Sequence, residues 1–94
     1  MHTVYKYPLD GYADRQTIEL PKGAQPLSVQ FQNGQLCLWA LVDTNLGLGR
    51  YTVQMYGTGH EIDADDLPVG HEFLGTVQVS GGVLVFHLFG YFRP

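Results

Sequence analysis

The sequence predicts an all-β domain, an antiparallel β-sandwich or small barrel of about six or seven strands with at least two tight hairpins. Three observations carry this. Apolar residues recur with period two, and no segment sustains a period of 3.6. Twelve glycines and five prolines punctuate the 94 residues too often for a wholly helical chain. Short alternating runs are separated by turn signals at near-regular intervals, with no helical pattern between them.

The predicted strands are Thr3–Tyr7, Gln16–Leu20, Leu27–Gln32, Gln35–Val42, Arg50–Tyr56, Glu72–Ser80 and Val83–Tyr91. Between them lie Pro8-Leu9-Asp10-Gly11, Pro21-Lys22-Gly23, Asn33-Gly34, Gly47-Leu48-Gly49, Gly57-Thr58-Gly59 and Gly81-Gly82. No linker, repeat or low-complexity tract interrupts them, so residues 1–94 form a single β domain.

Two hairpins can be registered from their turns. Asn33-Gly34 is a type I′ signal, because both central positions need positive φ. It pairs Gln32 with Gln35, Phe31 with Leu36, Gln30 with Cys37, Val29 with Leu38 and Ser28 with Trp39. One face then carries Leu27, Val29, Phe31, Leu36, Leu38 and Ala40 toward a core, and the other carries Cys37 and Trp39. A two-residue turn at Gly81-Gly82 pairs Val79 with Leu84, Val77 with Phe86 and Gly75 with Leu88 on the core side. Its reverse face pairs Ser80 with Val83, Gln78 with Val85, Thr76 with His87 and Leu74 with Phe89.

Both second strands of these hairpins are apolar on two sides, and such a strand is either sandwiched or covered by another chain. Should they meet, Cys37, Trp39, Val83, Val85 and Phe89 form one patch. It is covered either by a second copy or by the protein's own second sheet.

Charge limits the partners. Nine acidic and five basic residues give a net charge of −4, and only 15% of residues are charged against 45% hydrophobic. That balance excludes disorder, and without a Lys/Arg cluster no direct DNA or RNA binding is expected. The N-terminal residues lack a basic segment followed by an apolar core, and no run reaches the roughly 20 apolar residues of a membrane span. The lone Cys37 forms no internal disulfide, so no oxidising compartment is required.

The candidates for chemistry are few. Gly57-Thr58-Gly59-His60 offers backbone N–H groups, a hydroxyl and an imidazole after a strand that places Arg50 and Tyr56 on one face. Arg50, Tyr56, Thr58, Gly59 and His60 are therefore the predicted site for a small anionic ligand. His87, across from Thr76 between Phe86 and Leu88, reads as a hydrogen-bonded structural histidine.

From Glu61 to Glu72, oxygen ligands fall at positions one, three, five and twelve of a calcium-type loop as Glu61, Asp63, Asp65 and Glu72. Asp66 stands where that loop needs glycine, and a solvated loop with one helical turn capped by Asp63 accounts for the residues as well. No metal and no cofactor are assigned. Cys37 lies between leucines, and Ser28 and Ser80 have no nucleophile-elbow context, so no enzyme is expected.

The segments Tyr5-Lys6-Tyr7-Pro8-Leu9, Leu20-Pro21-Lys22-Gly23-Ala24, Val29-Gln30-Phe31-Gln32-Asn33-Gly34, Leu38-Trp39-Ala40-Leu41-Val42-Asp43, Tyr56-Gly57-Thr58-Gly59-His60 and Phe73-Leu74-Gly75-Thr76-Val77-Gln78 also carry a resemblance. Together they resemble a family of small uncharacterised proteins encoded by bacteriophages and prophages. Thr44–Gly49 and Gly90–Pro94 carry none of it. The resemblance implies an accessory protein made in the bacterial host cytoplasm, and it brings over no catalytic residues. The resulting expectation is a non-enzymatic module that self-associates and captures a host defence protein or its nucleotide signal. The alternatives are a virion decoration or tail subunit, and a metal-dependent enzyme using His60, Asp63, Asp65 and His71.

Overall fold

The computed structural model describes residues 1–94 and contains seven strands. They are β1 (His2–Pro8), β2 (Arg15–Pro21), β3 (Gln25–Gln32), β4 (Gln35–Asp43), β5 (Leu48–Gly57), β6 (Glu72–Val79) and β7 (Leu84–Phe92). All seven predicted segments are strands. They form two antiparallel sheets packed as a sandwich, one ordered β1-β4-β3 and the other β2-β5-β7-β6. No helix is long and apolar enough to cross a membrane.

Alternation builds the core. Leu36, Leu38, Ala40 and Val42 on β4 point inward against Tyr51, Val53 and Met55 of β5 and Leu88 of β7, and all are buried. The β3–β4 hairpin has the predicted register throughout its turn-proximal half, with Asn33 at φ 51° and Gly34 at φ 80°. Near its start the prediction fails. β3 bulges between Pro26 and Ser28, which turns Leu27 out of the core and leaves it half exposed. Pro26 has no N–H to donate to the ladder, and a bulge is where a strand tolerates that loss.

The second hairpin keeps its predicted pairs from Val79–Leu84 to Gly75–Leu88 and differs at both ends. Its connection is Ser80–Val83, not a two-residue turn. Ser80, Gly81 and Gly82 all take positive φ and Val83 is helical, so Ser80 and Val83 do not pair. Beyond Gly75, β6 bulges at Leu74. Phe73, not Leu74, then stands opposite Phe89, and Leu74 turns into the core. Gly75 accommodates this bend at φ 153°, pressed against Val29 where β3 and β6 close one side of the sandwich.

The apolar strands β4 and β7 do not meet. They lie in different sheets, so their outer faces look in opposite directions and the predicted common patch does not form. Cys37 is buried and offers no contact surface. Lys6 Nζ donates to Gln32 Oε1 at 2.9 Å, joining β1 to β3 across β4. The two residues stand at the levels of Trp39 and Gln35, on either side of Cys37 along β4. Long polar side chains on such a face can cover apolar groups with their aliphatic stems. Trp39 is half-buried, as are Val85 and Phe89 on the other sheet, while Val83 stands exposed in the turn.

Candidate functional site

The outer face of the four-stranded sheet gathers most of the chemistry in the molecule. Register sets it in rows. One row runs Arg15, Gln54, Phe89, Phe73 across β2, β5, β7 and β6. The next on one side holds Thr17, Thr52 and Tyr91, and on the other Tyr56, His87 and Thr76. These residues share a face because strand side chains alternate and the pairing aligns them.

A hydrogen-bond chain crosses the rows. Arg15 Nη2 donates to the Tyr91 hydroxyl at 3.2 Å, Tyr91 donates to Gln54 Oε1 at 2.6 Å, and Gln54 Nε2 donates to the Tyr56 hydroxyl at 2.7 Å. The Gln54 amide is buried under these neighbours and has both ends satisfied, as a buried amide requires. Burial, and next the carboxylate of Asp66, hold the Tyr56 hydroxyl above the ordinary tyrosine range. Thr52, fully buried, shares a hydroxyl contact with Thr17 at 3.2 Å.

Aromatic rings surround Phe89. Phe73 lies at 5.5 Å between centroids, His71 at 5.9 Å and Tyr56 at 6.2 Å, all tilted or edge-on. Such tilted pairs are the favoured aromatic geometry. Phe73 is 61% exposed, so the cluster opens to water on the β6 side. His71 Nδ1 donates to the Pro68 carbonyl at 2.9 Å, which leaves Nε2 of the neutral ring as an acceptor. Arg15 has no acidic partner, since the one ion pair in the chain joins the N-terminal ammonium to Asp43.

His87 is hydrogen-bonded on both ring nitrogens, to Thr58 Oγ1 at 2.7 Å through Nε2 and to Thr76 Oγ1 at 2.9 Å through Nδ1. The structural role expected from its register holds. Thr58 begins the loop from 58 to 71, so this clamp also ties the loop to β7.

The predicted anion site is brought together only in part. Tyr56 and Thr58 lie on this face. Arg50 stands six residues up β5 from Tyr56, about 20 Å along an extended strand, beside Glu19. The glycine loop is no cradle. Thr58 N–H donates to the Val85 carbonyl and His60 N–H to the Gly57 carbonyl, while the Thr58 hydroxyl is held by His87. Gly57 leaves room for the His60 ring, which lies where a side chain at 57 would be. Gly59, at φ 85°, serves the turn.

The acidic loop follows the simpler reading. Ala64–Asp66 form one helical turn, capped by Asp63, whose carboxylate accepts the Asp65 N–H at 3.2 Å. No three His, Cys, Asp or Glu side chains converge in a way that could hold a metal ion, and His60, Asp63, Asp65 and His71 are not assembled.

Arg15, Thr17, Thr52, Gln54, Phe73 and Tyr91 are the members of this face that sequence reasoning missed. The parity of Arg50, Gln54 and Tyr56 could have placed Gln54. Arg15 needed the β2–β5 register, which no hairpin connects. The arrangement sets a cluster of tilted rings, with Phe73 exposed, at one end of a row and Arg15, in no ion pair, at the other; an exposed ring can stack a planar group and a guanidinium can hold an anion.

No curated protein and no solved structure matches the chain. A family model does match, over residues 1–93. The chain belongs to the family described as Domain of unknown function (DUF7352).

Proposed function

We propose that this chain is a non-enzymatic binding module that captures a small, flat, anionic molecule, such as a host nucleotide signal, on the outer face of its four-stranded sheet. In this reading it is a phage or prophage accessory protein acting in the bacterial cytoplasm. One observation carries the ligand class: Arg15, without a carboxylate partner, is positioned by Tyr91 in the row that ends in the exposed ring of Phe73. Stacking on an aromatic side chain contributes about 1–3 kcal/mol per base, and a guanidinium holds phosphate bidentately.

Titration of cyclic and linear nucleotides, followed by amide NMR shifts, tests this. Saturable shifts at Phe73, Phe89 and Arg15 support it, with at least tenfold weaker binding in Arg15→Ala and in Phe73→Ala. Absence of saturable shifts across the panel overturns it. Trp39 fluorescence is the wrong reporter, because Trp39 lies on the opposite sheet.

The reading includes assembly. Trp39 is only half-buried in a single copy, with Leu41 on the same face and the exposed Val4 opposite Leu41 on β1. A second copy is the proposed cover. Light scattering at micromolar protein should give at least a dimer, and a clean monomer removes this part.

A further inference from the structure

At one end the sandwich is not closed. The tips of the β3–β4 and β6–β7 hairpins stand apart, and the residues that should meet between them line a cleft of about 510 Å³. Its walls are inward-facing positions: Phe31 and Leu36 from one sheet, Met55, Leu84 and Phe86 from the other. Leu84 is half exposed although it continues the core side of β7. A volume of roughly 300–1,000 Å³ with mostly apolar walls is what small-molecule sites present.

The mouth is acidic and held in place. Asp10 and Asp14, on the connection between β1 and β2, line the cleft, and no Lys or Arg does. Neither carboxylate is in an ion pair. Backbone clamps fix this connection. Gln16 accepts from Asp10 N–H at 2.9 Å and donates to the Asp10 carbonyl at 2.8 Å. Leu9 N–H donates to the Leu36 carbonyl at 2.8 Å, and Gln35 Nε2 donates to the Leu9 carbonyl at 2.6 Å. Asp10 Oδ1 accepts the Tyr12 N–H at 2.9 Å, so its carboxylate is oriented before any ligand arrives.

From this charge complementarity we infer that the cleft binds a small amphiphilic cation. Its alkyl or aryl body fills the gap between Phe31, Met55 and Phe86, and its ammonium group meets Asp10 and Asp14. The cleft shares no residue with the aromatic face, so the two sites stand or fall separately.

The test uses three probes with the same ten-carbon chain, each below its micellar concentration: decyltrimethylammonium, decanoate and decyl maltoside. The full chain is titrated while the methyl signals of Met55 and Leu84 are followed. The expected result is one saturable site, with the cation bound at least tenfold tighter than either comparator. Asp10→Asn combined with Asp14→Asn, at exposed positions, should cut that preference below threefold without moving the urea midpoint. Leu84→Trp, which fills the mouth, should weaken the cation at least tenfold. Equal affinity for all three chains, shifts confined to Phe73 and Phe89, or no saturation overturns the inference. So does a dimer in which a second copy protects the Leu84 methyls.

Discussion

The ring of Tyr51 occupies the space that a side chain at Gly90 would need: a β-carbon there would lie 2.5 Å from the Tyr51 hydroxyl and overlap the ring. The hydroxyl ends buried among core residues with no hydrogen-bond partner. Gly90→Ala is therefore expected to destabilise the fold by about 2 kcal/mol or more, as overpacking of a filled core does. Tyr51→Phe removes an unsatisfied polar atom and should stabilise by about 1 kcal/mol. Urea midpoints measure both; a destabilising Tyr51→Phe would show that the hydroxyl has a partner.

The same burial predicts an alkaline limit. Desolvation is the chief cause holding the Tyr51 hydroxyl protonated far above the ordinary tyrosine value of 10.0, and it raises Tyr7 and Tyr56 as well. The folded state thus keeps protons that the unfolded state releases. The associated stability is complete below pH 10 and is lost as the pH climbs toward the folded-state values. Urea midpoints between pH 8 and 11.5 should fall, and Tyr51→Phe should flatten the decline. An unchanged slope in the variant would assign the effect elsewhere.

Where β3 meets β6, Gly75 and Val29 act as a pair. A β-carbon at Gly75 would come within 2.7 Å of Val29 Cγ2, on a backbone whose φ of 153° already disfavours it. Gly75→Ala should cost about 2–3 kcal/mol. Combining it with Val29→Ala should recover part of that loss, because the steric component disappears and the backbone component stays. Full additivity in the double-mutant cycle would mean the two do not touch.

His87 is expected to govern the loop from 58 to 71 more than global stability. His87→Ala removes both threonine contacts, and Thr58 loses its side-chain tether to β7. Amide exchange across Gly59–His71 should accelerate at least tenfold, with a change in unfolding free energy of about 1–2 kcal/mol. Unaltered exchange in that loop would show that backbone bonds alone hold it.

Much of this fold was legible because turn chemistry fixes register locally. Asn33-Gly34 set the pairs from Gln32–Gln35 to Ser28–Trp39 without tertiary information, and Asp63 announced its cap. The alternation beyond Gly75 was misread because a bulge leaves little trace in one sequence. Phe73 and Leu74 are both apolar, and either could have faced water. Placing β4 and β7 in one patch failed for a different reason. Periodicity reports that two faces are apolar and is silent on which sheet owns each strand. The candidate face was hidden likewise, since Arg15 reaches Gln54 through a pairing that only the assembled sheet defines.

The extra residue at Leu74 uncouples the two sides of β6. In an ordinary strand, losing one residue inverts everything upstream, exchanging wet and dry positions. Here the pairs Phe73–Phe89 and Glu72–Gly90 already lie past the irregularity. Excising Leu74 would leave the solvent-facing phenylalanine in place and remove only a plug from the interior. For this surface, a change of chain length at one point is gentler than it would be anywhere else along the strand.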